Sequence, residues 1–358
     1  MGLPKIEIIF KSLAGTAIKR GERGVVALIL DDTVPGVNPV VMTGVNDIPN
    51  EFTEFNKEQI LMAFRGGVNP PRKVIAYMRP TDAENYNGAM NYLETILWDY
   101  IAIPSIGEGD VDLVATWVKG LRDNKDMGVK AVLPHCKADH EGIINFTTDD
   151  ILVGDKEYTA AEYCTRIAGI AAGCPLTMSL TYQALPEVDD VPHPTTEELD
   201  EAIDAGELVL MHDGEKVKIA RGVNSLVTVA GDKGEEWKKI LIIDKMDLWK
   251  SDVKRTIADN YLGKYPNTYD NKMLLVAAIQ AYNDEWELDR LLDDSLPEYN
   301  QVGIDIERQK VFLKGIGEPV DDMDEQTIKL ANTKDKVFIA TNLKFVDAME
   351  DFFINVEM

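Results

Sequence analysis

Positive charge is scarce in this chain. Against 62 aspartates and glutamates stand 37 lysines and arginines, a formal net charge of −25 over 358 residues. Such a surface repels nucleic acid phosphates and anionic lipid, so neither nucleic acid nor membrane is an expected partner. Cysteine is scarce as well. Cys136, Cys164 and Cys174 are odd in number and scattered, which excludes a disulfide framework and fits buried free thiols in a reducing cytoplasm. No apolar run reaches the roughly 20 residues needed to span a bilayer. The opening MGLPKIEIIFKSLAG has one lysine before a short alternating stretch and no long apolar core, so no signal peptide is expected. Gly2 would suit myristoylation, but Ile6 stands where Ser or Thr is required.

Phosphate loops are also missing. Gly263-Lys264 has Ala258 where the earlier glycine belongs and Tyr265 where Ser or Thr belongs. IGEGDVD (106–112) follows a strand pattern and precedes a helical one. It carries Asp112 in place of the third glycine of a dinucleotide loop, and Glu108, Asp110 and Asp112 would repel a pyrophosphate. It reads as an acidic helix start with Asp110 as capping candidate.

What is present is 45% hydrophobic residues, enough for a core and about two domains. VVALIL (25–30), KVIAYM (73–78), DYIAIP (99–104) and VKAVLP (129–134) read as strands. Helical patterns at 56–65, 84–98 and 110–124 alternate with them, which predicts an α/β layer with a mostly parallel sheet. DILVGDKEYT (150–159) predicts a hairpin around Gly154-Asp155, and 158–173 a helix closed by Gly173 and Pro175. Thr195 or Thr196 is placed to cap a short acidic helix, and 207–222 predicts a second hairpin at Asp213-Gly214.

From Trp237 onward, Ile242, Met246, Trp249, Val253, Ile257 and Tyr261 share one helical face, and Leu275, Ile279, Tyr282 and Trp286 share another. The polar stretch RTIADNYLGKYPNTYDNK (255–272) joins them. Gly263 can close the first helix as a left-handed cap, Pro266 prevents continuation, and Thr268 or Asp270 can start the second. Both ends of the chain alternate as strands do. Ile6, Ile8 and Phe10 share a face in PKIEIIFK. Val337, Ile339, Leu343 and Phe345 share one in 336–346, and Phe352, Ile354, Val356 and Met358 share one in FFINVEM. Unpaired apolar strands of this kind pair with another chain or inside their own subunit.

Chemistry-bearing clusters are thin. HCKADH (135–140) places His135, Cys136 and His140 after a strand, where α/β folds hold active residues. Adjacent His and Cys are poorly spaced for one tetrahedral zinc, however, and no fourth ligand is near. A Cys–His nucleophile pair is the remaining enzymatic option, and a capped strand end with a structural thiol is the expectation. His193 and His212 have no partner in the sequence. The acidic clusters 288–294 and 321–325 lack the glycine and alternation of a calcium loop. No catalytic residue, metal site or cofactor is therefore expected.

The segment RGVNSLVTVAG (221–231), followed by the helix ending DNYLGK and the helix start NTYDNK, resembles the carboxy-terminal half of contractile tail sheath proteins of myophages and phage-like bacteriocins. GLPKIEIIFK, TAIKRGERGVVALIL and VFIATNLKFVDAMEDFFINV resemble the compact sheaths of Gram-positive phages. The likeness is weakest over about 135–215. The resemblance implies an α/β (α+β overall) protein. Its arm would be residues 1–20, its outer α/β domain 21–220, its inner domain 221–335 and its second arm 336–358.

It implies a helical homopolymer of hexameric rings around an inner tail tube, with baseplate and tail-terminator proteins as further partners, assembled in the bacterial cytoplasm and then carried on a particle tail. The terminal arms (Ile6, Ile8, Phe10, Val337, Ile339, Leu343, Phe345, Phe352, Ile354, Val356) would add strands to neighbours. The joint residues Asn260, Tyr261, Gly263, Lys264, Asn267, Tyr269 and Lys272 would set the inter-helix angle, with Lys264 or Lys272 touching a neighbour or the tube. The alternatives are a static ring or shell, and a hydrolase using His135, Cys136 and His140.

Overall fold

A computed structural model of the chain describes residues 17–33 and 37–358. The chain falls into two compact units. One holds residues 21–251 and 347–358; the other holds 252–346 and the described residues up to Arg20. The division falls inside a helix, later than the boundary expected at 220/221.

The first unit is built on seven strands in the order β2-β3-β1-β4-β5-β6-β9. These are β1 (Val25–Asp31), β2 (Val40–Met42), β3 (Lys73–Arg79), β4 (Tyr100–Ala102), β5 (Lys130–Pro134), β6 (Ile143–Phe146) and β9 (Glu207–Leu208). All neighbours run parallel except β2, an antiparallel edge strand. The side-chain period of two divides β1 between two cores. Val26, Leu28 and Leu30 enter a layer with α1 (Glu54–Arg65) and α4 (Ala160–Gly173), and Val25, Ala27 and Ile29 enter one with α2 (Asn87–Leu93) and α3 (Glu108–Lys125). Burial on both faces explains why this strand is a continuous apolar run. The approach of α4 to α1 depends on glycine: a Cβ on Gly169 would collide with the Ala63 carbonyl.

Local signals held where the capping chemistry was strong. Thr53, Thr159 and Thr195 accept hydrogen bonds from Asn56, Glu162 and Glu198 at the starts of α1, α4 and α5 (Thr196–Asp204). Gly154 turns β7 (Ile151–Val153) into β8 (Lys156–Tyr158) with φ +61°, and Gly214 sits between β10 (Leu210–His212) and β11 (Val217–Ile219) with φ +97°. Three expectations are corrected. The helix expected over 84–98 ends at Leu93, because the Trp98 indole nitrogen turns back to the Leu93 carbonyl at 3.0 Å. Asp110 does not cap α3; Gly107 occupies that position and Asp110 lies in the first turn, where its charge still complements the helix dipole. The hairpin expected over 207–222 is confined to β10 and β11, since Glu207–Leu208 pairs with β6.

Helix α6 (Ile240–Thr256) is fixed to this sheet by buried charge. Asp244 accepts from the Tyr100 hydroxyl at 2.6 Å and pairs with Arg23 at 2.5 Å and Lys130 at 3.1 Å. Asp247, one turn on, pairs with Lys130 at 2.7 Å and takes both terminal nitrogens of Arg122 at 2.8 and 3.0 Å.

The second unit continues with α7 (Tyr269–Leu288), β12 (Val302–Ile304), α8 (Ile306–Gly315), α9 (Glu325–Leu330) and β13 (Ile339–Thr341). β12 and β13 form an antiparallel pair. Leu275, Ile279, Tyr282 and Trp286 are buried on one face of α7. The strand expected over 336–346 shrinks to β13, apart from an isolated bridge of Phe345 to Leu292, and residues 352–358 form no strand. The strand expected over 4–11 lies outside the described residues. Among the described residues no helix is long and apolar enough to cross a membrane.

Burial would raise the Asp247 carboxyl, but Lys130 and Arg122 outweigh it and bring it down to about 2. A depressed carboxylate contributes stability that is present above its unfolded value near 3.9 and is lost as pH falls through the folded one, a contribution of about 2 kcal/mol here. Asp247→Asn is expected to destabilise the protein at neutral pH by roughly 3 kcal/mol, since it leaves two buried cations short of a partner. It should also flatten acid unfolding between about pH 4 and 2. Chemical denaturation followed by circular dichroism across that range checks both.

Candidate assembly interface

The joint between α6 and α7 is a turn built to hold a second segment. After Thr256 the helix widens into a π turn, Ile257–Tyr261. Leu262 closes it with an N–H to the Ile257 carbonyl at 2.9 Å, and Gly263 follows at φ +71°, the left-handed position glycine suits. Thr268, not Asp270, caps α7, and the Asn271 amide donates back to the Pro266 carbonyl at 2.8 Å. From this turn the Asn267 amide nitrogen donates to Thr333 Oγ1 at 3.1 Å and to the carbonyls of Lys334 and Lys336, each at 2.8 Å. Lys272 Nζ donates to the same Thr333 hydroxyl at 2.8 Å, and Thr333 Oγ1 donates in turn to the Lys336 carbonyl at 2.6 Å.

Lys272 is 3% exposed, and burial lowers the basicity of its amine. Its amine is engaged inside the subunit, where it fastens the start of the segment 333–346. Lys264 is exposed and donates to the Asp259 carbonyl. Tyr261 lies against Tyr265 with ring centres 5.5 Å apart, and Asn260 and Tyr269 are half-buried.

The expected arm residues separate into two groups. Ile339 pairs with Ile304, and Leu343 is half-buried. Phe345 bridges to Leu292 and sets its ring edge-on to Trp286 at 6.3 Å. These stay within their own subunit, while Val337 is 46% exposed. Trp286 also carries the Arg20 guanidinium, 5.5 Å from its centre, and Arg20 pairs with Asp289 at 2.6 Å. Residues of both expected arms, Arg20 and Phe345, therefore meet at one indole. Phe352, Ile354 and Val356, in contrast, are 68%, 82% and 73% exposed. Ile6, Ile8 and Phe10 fall outside the described residues.

Between these groups lies a contact that sequence reasoning missed. Glu350 is nearly buried in an otherwise exposed tail. It accepts from Ser179 Oγ and Thr181 Oγ1, both at 2.6 Å, and pairs with Arg221 at 3.3 Å and Lys239 at 3.5 Å. Arg221 also holds Asp351 at 2.7 Å, and Lys239 holds Asp347. Burial opposes the charge on Glu350, but the two hydroxyls and two cations outweigh it and lower its pKa. The signal available was the arginine of RGVN and three acids within five residues, 347–351. The rest of that motif is local carpentry. The Asn224 amide bonds the Trp237 carbonyl at 2.7 Å, and Ser225 Oγ bonds the His140 carbonyl at 3.0 Å.

The histidine–cysteine cluster does not converge. His135 turns to Asp149 at 2.7 Å, and His140 is buried against Asp123 at 3.3 Å. Cys136 is 2% exposed, and burial, reinforced by Asp112, pushes its thiol up to about 11. Cys136 therefore lacks thiolate character. Among the described residues no group of three or more His, Cys, Asp or Glu is placed to hold a metal.

Comparison with known proteins supplies the family. Residues 80–225 match the phage tail sheath protein central domain, and residues 232–358 match the phage tail sheath C-terminal domain. The chain belongs to the phage tail sheath family. It is a structural tail sheath protein.

Among its relatives, the tail sheath protein of Clostridium phage phiCD119 is 39% identical over 362 residues, covering 100% of this chain and 99% of that one. The fold is similar to that of a sheath tail protein from Desulfitobacterium hafniense (TM-score 0.69, 18% identity, 85% of this chain and 94% of that one). It is also similar to the helical sheath of the anti-feeding prophage in its contracted state (TM-score 0.71, 14% identity, 100% and 99%).

Thr333→Val is expected to cost about 1–3 kcal/mol by stripping a partner from buried Lys272. Adding Lys272→Met should recover part of that loss, because two apolar partners leave no orphaned charge. Urea midpoints of the single and double variants give the coupling directly.

Proposed function

We propose that subunits stack as hexameric rings into a helical homopolymer around an inner tail tube, joined by strand addition from their terminal arms. The observation that carries this is the tail 352–358. Its alternating apolar side chains are exposed and outside any strand, on a chain of the sheath family. Burying side chains of this size contributes about 1.5–3 kcal/mol each before ordering costs. Strand addition uses backbone hydrogen bonds for affinity and alternate side chains for register. Each contact is heterologous, so it propagates instead of closing.

Residues 21–220 form the outer domain in this scheme, and 221–335 form the inner one near the tube. Release by the baseplate lets the rings rotate and compact while the arms keep neighbours linked, and the compaction drives the tube through a cell envelope. Assembly takes place in the bacterial cytoplasm and ends at a tail-terminator protein. The work is mechanical and calls on no cofactor, nucleic acid or membrane.

Negative-stain microscopy of concentrated full-length chain is expected to give hollow striated tubes. Chains shortened by 1–12 or by 352–358 should keep their thermal midpoint and give none. Tubes of normal length from the chain without 352–358 would remove the tail from the interface. Lys264→Glu should leave empty tubes intact but reduce co-assembly on inner tail tubes, and unchanged co-sedimentation would remove that contact.

A further inference from the structure

The pocket that takes Glu350 is organised without it. Ser179 Oγ and Thr181 Oγ1 lie 2.9 Å apart, the Thr181 N–H donates to Ser179 Oγ at 3.1 Å, and the Gly222 N–H donates to Thr181 Oγ1 at 3.0 Å. Gly222 leaves room for this, since a Cβ there would press on Leu180 and Ser179. Arg221, the first residue of RGVN, and Lys239, just before α6, supply two cations. The result is a preformed carboxylate receptor with two hydroxyl donors and two positive charges.

Its occupant is held differently from the rest of the fold. Among the described residues, no backbone-to-backbone hydrogen bond reaches beyond Val346. Residues 347–351 are tied down by the side chains of Asp347, Glu350 and Asp351. A tether made of ion pairs and hydroxyl bonds can be exchanged for an identical one without unfolding anything. The residues that follow it, Phe352 to Met358, are exposed and apolar and need cover from elsewhere.

We propose that Ser179, Thr181, Arg221 and Lys239 form an exchangeable carboxylate-binding site, filled by the subunit's own Glu350 when it is free and by Glu350 of a second copy in the polymer. This rests on the tail-mediated assembly proposed above. In the free subunit the latch keeps the acidic base of the tail docked and limits premature pairing of its apolar end. In the polymer the same contacts set the register at which the tail of one copy enters the next. Polymerisation then trades one set of ion pairs for an equal set, and the gain comes from the apolar residues beyond.

The test needs only the wild-type chain. Isotopically heavy and light subunits are mixed before polymerisation, and the tubes are treated with a carbodiimide, which joins a lysine amine directly to a carboxylate it touches. Peptides linking Lys239 to Asp347 or Glu350 are then read by mass spectrometry. Heavy–light linked pairs are expected from tubes, and heavy–heavy and light–light pairs alone from dilute free subunits. Tubes that yield same-isotope pairs only would overturn the exchange while leaving tail-mediated assembly intact. A wild-type chain that forms no tubes would overturn both.

Because the free and the assembled contact are equal, Glu350→Gln is expected to leave the concentration needed for tube formation within about threefold of the wild type's. A rise of about tenfold would overturn the equal trade.

Discussion

The pairing of Asp244 with Arg23, Tyr100 and Lys130 is the interaction on which the first unit depends. Arg23 lies just before β1 and also bonds the Cys174 carbonyl beyond α4 at 2.8 Å. Tyr100 opens β4, and Lys130 opens β5. One carboxylate therefore gathers the starts of three parallel strands, the end of a helix and the first turn of α6. Taken alone, a buried ion cluster is an unreliable source of stability, because desolvation offsets much of the attraction. What it supplies is placement. A shift of α6 that brought Leu241 to the place of Asp244 would take one acceptor from Tyr100, Arg23 and Lys130 together. Because α6 begins directly after Lys239, the same constraint positions one cation of the Glu350 pocket.

Much of the first unit was legible because its signals are local. Thr195 stands three residues before a glutamate that returns the hydrogen bond, and Gly154 and Gly214 sit where a tight turn demands positive φ. β1 and β3 are long enough for their apolar character to outvote neighbours. What could not be read was set by distant contacts. Nothing in the segment 84–98 announces that Trp98 will fold back on Leu93. Nothing near Lys272 announces that Thr333, 61 positions on, will accept its hydrogen bond. Lysine on a polar joint is ordinarily solvated, and tertiary packing overrode that expectation.

The terminal alternation was legible as pattern but not as pairing. A period of two says that a segment can be a strand and says nothing about which edge accepts it. Residues 339–345 find Ile304, Leu292 and Trp286 within the subunit; 352–358 find none of these. The family motifs RGVN and NTYDNK now have physical content. Each frames a polar contact with the C-terminal segment, Arg221 at its acidic end and Asn267 with Lys272 at its beginning.

The seven-stranded sheet ends in β2 on one side and β9 on the other, three residues and two residues long. Strands this short expose too few unpaired backbone groups to recruit a stranger. Copies of this chain set side by side therefore meet without a long unpaired strand through which their sheets could fuse, and crowding them together carries little risk of edge-to-edge aggregation.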